Sequence, residues 1–473
     1  MTTYNVASPY GPTQAQAAID SASDGDVVAF PACNVTWSSG VTISGKGIKV
    51  QGAGGGRVEG SSTSSLAIGT GSKSFTIRSG SVVSTGWTNG ETVSARVKYD
   101  SGVSMTGTVT SWNGTTLVLN ISSTAGSGTY ACWTFEMPAT STITMSGGSI
   151  AVTEDTTHSV EVSGLRILSG NPAISIADNN GKPVLIHNCR FSSNTHGVYS
   201  YSNRGVVWLC YFDQGFNWNN VTNNLVTSSA VAFKHGNATD ASWSSAPTMG
   251  SADTNGNANF YVEDCFFTGH TTECCDFDDN SRTVWRDNVV DNSGLTSHGM
   301  DTSIAGNRHF EVYDNLCIFD EVGAATANMN YWVYWRGGAG IVTDNTMDAI
   351  SSGEWGDKDE IKLTVQNLRR NAGANACWSS GWPCPRQVGQ GHSGSAYQTE
   401  GAYIWNNSGS PVIAMEDYSP DECGGGPSVT TYIQLNRDYF TSAKSGYSKY
   451  TYPHPLRGGA MLGGPQNVRW RPA

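Results

Sequence analysis

Apolar and polar residues alternate in short runs that recur along the chain. Phe260-Tyr-Val-Glu-Asp-Cys-Phe-Phe267, Thr283-Val-Trp-Arg-Asp-Asn-Val-Val290, Phe310-Glu-Val-Tyr-Asp-Asn-Leu-Cys317 and Gly340-Ile-Val-Thr-Asp-Asn-Thr-Met347 share one plan. Apolar residues occupy alternate positions, then come Asp, Cys or Asn, and further mostly apolar residues. A period of two is the signature of a strand. The Cys/Asn positions are Cys265, Asn288, Asn315 and Asn345, with steps of 23, 27 and 30 residues. A short motif on a step of roughly 20–50 residues marks a stacked repeat architecture.

The plan extends to Val184-Leu-Ile-His-Asn-Cys-Arg-Phe191, Gly205-Val-Val-Trp-Leu-Cys-Tyr-Phe212 and Ala402-Tyr-Ile-Trp-Asn-Asn407. Alignment on the Cys/Asn position gives an inward column of Ile186, Val207, Val262, Trp285, Val312, Val342 and Ile404. A second inward column runs Phe191, Phe212, Phe267, Val290, Cys317, Met347. Between them Cys189, Cys210, Cys265, Asn288, Asn315 and Asn345 should stack as one turn ladder, as side-chain amides do between stacked strands. These patterns predict an all-β parallel solenoid in which each coil rests on its neighbours.

Other segments modify this picture. Residues 13–22 carry Ala15, Ala18, Ile19 and Ala22 at helical spacing and predict a helix over the open end of the first coil. Val93–Val97, Met105–Thr110, Thr116–Asn120 and Tyr130–Phe135 alternate without the coil motif, with an Asn-Gly turn at Asn113. They predict a small antiparallel insert. The expected division is cap and first coils at 1–74, insert at 75–136, solenoid body at 137–420 and a tail at 421–473 packed along the solenoid side. Within that tail, Val429–Leu435 and Asp438–Phe440 read as strands.

Composition narrows function. Charged residues are 14% of the 473, with 56 Gly, 15 Trp and 19 Tyr, a turn-rich β composition. The net charge of −12 argues against nucleic acid, since no basic cluster would neutralise phosphates. No apolar run of about 18 residues predicts a membrane span. Met1-Thr-Thr-Tyr4 lacks signal-peptide character, so the expectation is a secreted protein that has lost its signal or one carried on a virion surface. Among eleven Cys, Cys377 and Cys384 are expected to be bridged, and Cys189, Cys210 and Cys265 to be buried thiols. For Cys274-Cys275 a vicinal disulfide and a pair of thiols, one buried and one exposed, both stand open.

Ala17-Ala-Ile-Asp-Ser-Ala22, Gly25-Asp-Val-Val28, Phe30-Pro31, Trp37 and Lys46-Gly-Ile-Lys-Val-Gln-Gly-Ala-Gly54 resemble the amino-terminal cap and first coil of pectin-lyase-like right-handed parallel β-helix proteins. That superfamily includes polysaccharide lyases, glycoside hydrolases and phage tailspikes. Arg282–Arg286, His298-Gly-Met-Asp301, Arg308 with Glu311–Asn315, Arg336-Gly-Gly338 and Tyr450–Leu456 are similar to bacterial and phage β-helix proteins of no established reaction. Gly107–Leu117 with Gly126–Tyr130 and Trp133 resembles a module of phage tail-fibre proteins that also occurs in secreted β-helix proteins.

The outward column reads His187, Trp208, Glu263, Arg286, Tyr313, Thr343, Trp405. Stacked about 4.8 Å apart, Trp208, Glu263, Arg286 and Tyr313 would form an exposed polysaccharide groove. There aromatics take sugar faces and charges take hydroxyls or carboxylates. The alternative is a surface Glu–Arg pair worth under about 1 kcal/mol. Asp276, His298 and Arg308 flank the face, so the catalytic candidates are Glu263, Arg286, Asp276, His298 and Arg308. Trp208, Tyr313, Glu311, Asp301 and Arg336 are the substrate-binding candidates. The run Glu273, Asp276, Asp278, Asp279 reads as an acidic loop or weak calcium site. Three functions compete: a protein that binds, and in one version cleaves, a polysaccharide as lyase or glycoside hydrolase; a tailspike or fibre component that meets a cell-surface glycan as a homotrimer; and a structural filament or adhesin subunit.

Overall fold

The computed structural model describes residues 1–98, 100, 102–153, 158–177, 181–201, 204–213, 231–233, 249–250, 252–268, 273–278, 280–297, 299, 307–319, 331–349, 360–363, 382–384, 386–393, 396–409, 411–416 and 428–457. Among the described residues three long parallel sheets, A, B and C, run along the solenoid with twelve, nine and ten strands. Each coil contributes a strand to A, turns a tight corner into B, continues into C and returns to A. Val184–His187, Arg190–Ser192 and Val198–Ser200 are one such coil. The chain is a right-handed parallel β-helix, the architecture of the pectin-lyase-like superfamily that the sequence resembles.

The predicted inward columns are the core. Ile186, Val207, Val262, Trp285, Val312, Val342 and Ile404 stand in register along sheet A and are buried. On sheet B the rings of Phe191, Phe212 and Phe267 stack with centroids 4.8 and 4.7 Å apart, the spacing of the strands that carry them.

The Cys/Asn ladder forms the A-to-B corner. Asn288 Nδ2 donates to Asn315 Oδ1 at 3.1 Å, Asn315 Nδ2 to Asn345 Oδ1 at 2.9 Å, and Asn345 Nδ2 to Asn407 Oδ1 at 2.8 Å. Each amide also donates to a carbonyl of the preceding coil, those of Val262, Trp285, Val312 and Val342, at 3.0 Å. Cys189, Cys210 and Cys265 are thiols in the same column, each directed at the preceding coil's carbonyl at 3.7–3.8 Å. The residue before each rung is left-handed: Asn188, Leu209, Asp264, Asp287, Asp314, Asp344 and Asn406 have φ of 48–58°. Asp and Asn tolerate that region, which explains the Asp in the motif.

The helix Pro12–Ser21 buries Ala15, Ala18 and Ile19. Lys46 Nζ donates to the carbonyls of Ile19, Asp20 and Ala22 at its carboxyl end, where a cation suits the helix dipole.

The insert is larger than the alternation indicates. Its six-stranded antiparallel sheet begins at Arg57–Ser62 and ends at Trp133–Met137, rather than spanning 75–136. Arg-Val-Glu-Gly-Ser-Ser has too little apolar periodicity to show as a strand until Trp133–Met137 pairs with it. The insert interrupts the second coil between the sheet A strand Lys49–Gln51 and the sheet B strand Ser141–Met145. It therefore leaves at the A-to-B corner and packs its Val58 and Val83 on Tyr211, Phe266, Val289, Leu316 and Ile318 of sheet B.

Two further expectations are corrected. Val429–Tyr432 is a single helical turn, not a strand, and it buries Val429 and Tyr432. Tertiary burial overrides the β preference of its Val and Thr. Cys274 and Cys275 are both buried thiols, so the vicinal disulfide and the half-exposed pair are both set aside. Cys377 lies outside the described residues, and its bridge to Cys384 stays an expectation.

Candidate functional site

The outward column on sheet A is assembled as its spacing requires. Trp208, Glu263, Arg286 and Tyr313 are consecutive register partners. The face is nevertheless closed, not an exposed groove. Glu263 and Arg286 are 0% exposed, Tyr313 1% and Trp208 5%. Residues 447–457 lie across them as a strap, and Gly250, Asp253 and Asn259 bond to it.

Both charged groups of the column are engaged by this cover. The Arg286 fork holds Glu263 Oε2, with Nε and Nη2 both at 2.7 Å. Its Nη1 donates to Tyr313 Oη at 3.2 Å and to the Tyr450 carbonyl at 2.9 Å, and Nη2 to the Thr451 carbonyl at 2.9 Å. The rings of Tyr261 and Tyr452 flank the guanidinium at 5.2 and 5.4 Å. Glu263 Oε1 accepts from the His454 amide at 3.0 Å and from Arg457 Nη1 at 2.7 Å. Arg457 also reaches Asp264 and lies over the Trp208 ring. Burial alone would raise the Glu263 carboxyl, but Arg286 and Arg457 outweigh it and hold the group below the usual carboxylate range. With four donors on its two oxygens, it has neither a proton to give nor an open lone pair with which to take one. Glu311 is engaged likewise, by Tyr447 Oη at 2.7 Å and the Gly250 amide at 3.1 Å.

The other candidates are dispersed. Arg308 is buried at the C-to-A corner against Glu400 at 2.6 Å. Burial, followed by the neighbouring Arg308, pulls Arg282 down to about 10. Arg336 follows a sheet C strand, donates to the Ser297 carbonyl at 2.8 Å and lies over the Tyr334 ring. Asp276 is outward on sheet C. His298 and Asp301 lie outside the described residues.

Sheet C carries a column that the sequence did not single out. Tyr199, Ala232, Asp276, Thr296, Tyr334 and Lys362 are successive register partners on consecutive coils, and Tyr199, Asp276, Thr296, Tyr334 and Lys362 alternate with the inward core residues of their strands. Two of the column's polar groups meet side chains of the same or the next coil. Thr296 Oγ1 meets Tyr331 Oη at 2.9 Å, and Lys362 Nζ lies 3.4 Å from Glu360 and 3.7 Å from Glu416. Tyr331 stacks on Tyr334 at 4.9 Å. Tyr199 is half-buried, whereas Asp276 and Tyr334 are recessed at 8% and 7% exposure. The signal for this column was the residue facing away from Cys275, Leu295, Val333 and Ile361. It lay hidden because sheet C strands carry no corner motif to align on. The strap residues His454 and Arg457 were missed as well; the aromatic, proline-bearing end predicted a segment along the side without saying which side.

No family model matches the chain, and no curated protein matches it. Among solved structures it is similar to an alginate lyase from Paenibacillus sp. str. FPU-7, with 14% identity over 74% of this chain and 94% of that one, TM-score 0.30. A Geobacillus virus E2 protein, ORF18, is similar with 12% identity over 72% of this chain and 55% of that one, TM-score 0.33. The tailspike protein of Pseudomonas phage LKA1 is 13% identical over 76% of this chain and 74% of that one, TM-score 0.21.

Proposed function

We propose that the protein is a glycan-binding β-helix whose outward face on sheet C holds a linear polysaccharide outside the cell or at a virion surface. The observation that carries this reading is the Tyr199–Asp276–Thr296–Tyr334–Lys362 column. It sets aromatic rings, a carboxylate, a hydroxyl and an ammonium in one line on rigid strands. Rings of this kind stack on sugar faces, and the polar groups between them meet hydroxyls at intervals of about 4.8 Å. Rigid presentation lets a repeating polymer engage several of them with little ordering of the protein. The strap occupies the equivalent face of sheet A and the insert much of sheet B; on sheet C, Tyr199 is half-buried and Asp276, Thr296, Tyr334 and Lys362 are recessed at 2–8% exposure.

The test is a glycan array on the intact chain, followed by titration of any hit against Tyr334→Ala and Asp276→Asn. Each substitution is expected to weaken binding about tenfold, roughly 1.4 kcal/mol, with the melting temperature of Asp276→Asn unchanged. Unaltered affinity in both removes the sheet C reading. Product analysis on the hit separates binding from cleavage, in which Asp276 would act as the acid or base. A receptor-binding virion component is the second reading, favoured by the separate core of the insert. It predicts a trimer in sedimentation equilibrium.

A further inference from the structure

The outward column of sheet B begins with polar residues before the insert covers it. Thr142, Arg166, Arg190 and Tyr211 are register partners on successive coils. Tyr211 is already beneath the insert, so Arg166 and Arg190 lie at its margin. There the insert strands Thr92–Val97 and Trp133–Met137 bring Arg96 and Glu136 to the solenoid.

The charges of this margin do not balance. Arg190 is 2% exposed. Its Nε donates to Asp213 Oδ2 at 2.7 Å, and its Nη1 lies 2.8 Å from Glu136 Oε1. Glu136 is shared with Arg96, and Asp213 also accepts from Ser192 Oγ at 3.1 Å. Arg166 has only a long contact from Nε to Ser192 Oγ, at 3.4 Å, and no carboxylate partner among the described residues. Three guanidiniums thus face two carboxylates, both already engaged by Arg190. Arg166 is half-buried, and burial, followed by repulsion from Arg190, lowers its pKa. It remains a cation, because guanidinium begins far above neutrality.

We propose that Arg166, backed by Arg190 and Arg96 and flanked by Thr142 and Ser192, is an anion site that takes the carboxylate of a uronic acid residue in an acidic polysaccharide. The guanidinium fork presents two parallel N–H groups that match a planar carboxylate, and the excess positive charge of the margin selects for an anion over a neutral sugar. The site is separate from the sheet C column and does not depend on it.

The experiment is isothermal titration of the intact chain with oligogalacturonate and with a malto-oligosaccharide of equal length, each against wild type, Arg166→Ala and Arg166→Lys. Wild type is expected to prefer the uronate oligomer by at least about tenfold, Arg166→Ala to lose that preference, and Arg166→Lys, which keeps the charge without the fork, to fall between. Because burial and the neighbouring Arg190 and Arg96 outweigh the pull of Asp213 and Glu136 on Arg166, Arg166→Ala without ligand should melt no lower than wild type. A wild type that does not discriminate the two oligomers, whether it binds both or neither, overturns the proposal. So does an Arg166→Ala protein with undiminished preference, or one whose melting temperature falls by several degrees, which would assign Arg166 a structural role.

Discussion

At the scale of single residues, the corner ladder shows how one position is solved by two chemistries. Cys and Asn occupy the same rung because both place a donor toward the preceding coil's carbonyl, and only Asn also passes an acceptor to its neighbour. Asn315 Oδ1 accepts from the amide and the side chain of Asn288 at 3.0 and 3.1 Å. Asn315→Ala takes this partner from the Asn288 amide and the Trp285 carbonyl and leaves Asn288 Nδ2 with the Val262 carbonyl alone, so a loss of about 3 kcal/mol is expected in urea unfolding. Asn315→Cys, which restores the donor alone, should lose about half as much. Leu209 is the residue out of place: its φ is 48° where the other corners use Asp or Asn. A left-handed conformation costs such a side chain roughly 1–2 kcal/mol. Leu209→Asn should therefore stabilise the chain by about 0.5–1 kcal/mol net of lost packing, a gain read as a higher urea midpoint.

At the scale of elements, the strap is the least local feature and the one with a pH signature. His454 is buried, its Nδ1 accepts from the Leu456 amide at 3.2 Å, and its Nε2 faces the Asp253 carbonyl at 3.1 Å. That arrangement needs the neutral ring. Burial lowers its pKa first of all, and Arg286 adds to this, against the opposite pull of Glu263 and Asp253. The native value thus lies below the ordinary one of about 6.5. The unfolded chain takes its proton first as pH falls, so this contribution is complete above about pH 6.5 and is lost as pH drops below it. Buried His309, also lowered by burial, acts in the same direction. Melting temperature should decline from about pH 6.5 downward, and His454→Gln, which keeps a donor and an acceptor without titrating, should flatten part of that decline. An unchanged profile in His454→Gln would detach the strap from the effect.

At the scale of the whole molecule, the insert and the solenoid are joined by a buried ion pair. Lys98 Nζ lies 2.8 Å from Asp291 Oδ2 and donates to Ser61 Oγ at 2.7 Å, with side-chain exposures of 1% for Lys98 and 0% for Asp291. Arg78 with Asp348, and Glu136 with Arg190, mark other points of the same contact. Removing one partner strands the other in the interior, so Lys98→Met should cost about 3–5 kcal/mol. Lys98→Met with Asp291→Leu should recover most of it. Because a solenoid's stability is a sum of neighbouring coils, Lys98→Met should also separate unfolding of the insert from that of the coils, giving two denaturant transitions in place of one.

Much of the fold was legible in the chain itself. The period-two runs and their Cys/Asn positions determined the coil, the inward columns and the ladder, because each depends only on a residue's place within its own repeat. The adjacency of Glu263, Arg286 and Tyr313 followed for the same reason. Whether that row faces water was not legible. Its closure depends on His454 and Arg457, 191 and 194 positions from Glu263, and no local pattern encodes which face a segment so distant will cover. Arg57–Ser62 became a strand only through Trp133–Met137, and only the insert brings Arg96 and Glu136 beside Arg190. Repetition fixes what each coil does with its neighbours. Tertiary structure alone decided which faces were covered, because burial of a surface depends on every segment that reaches it.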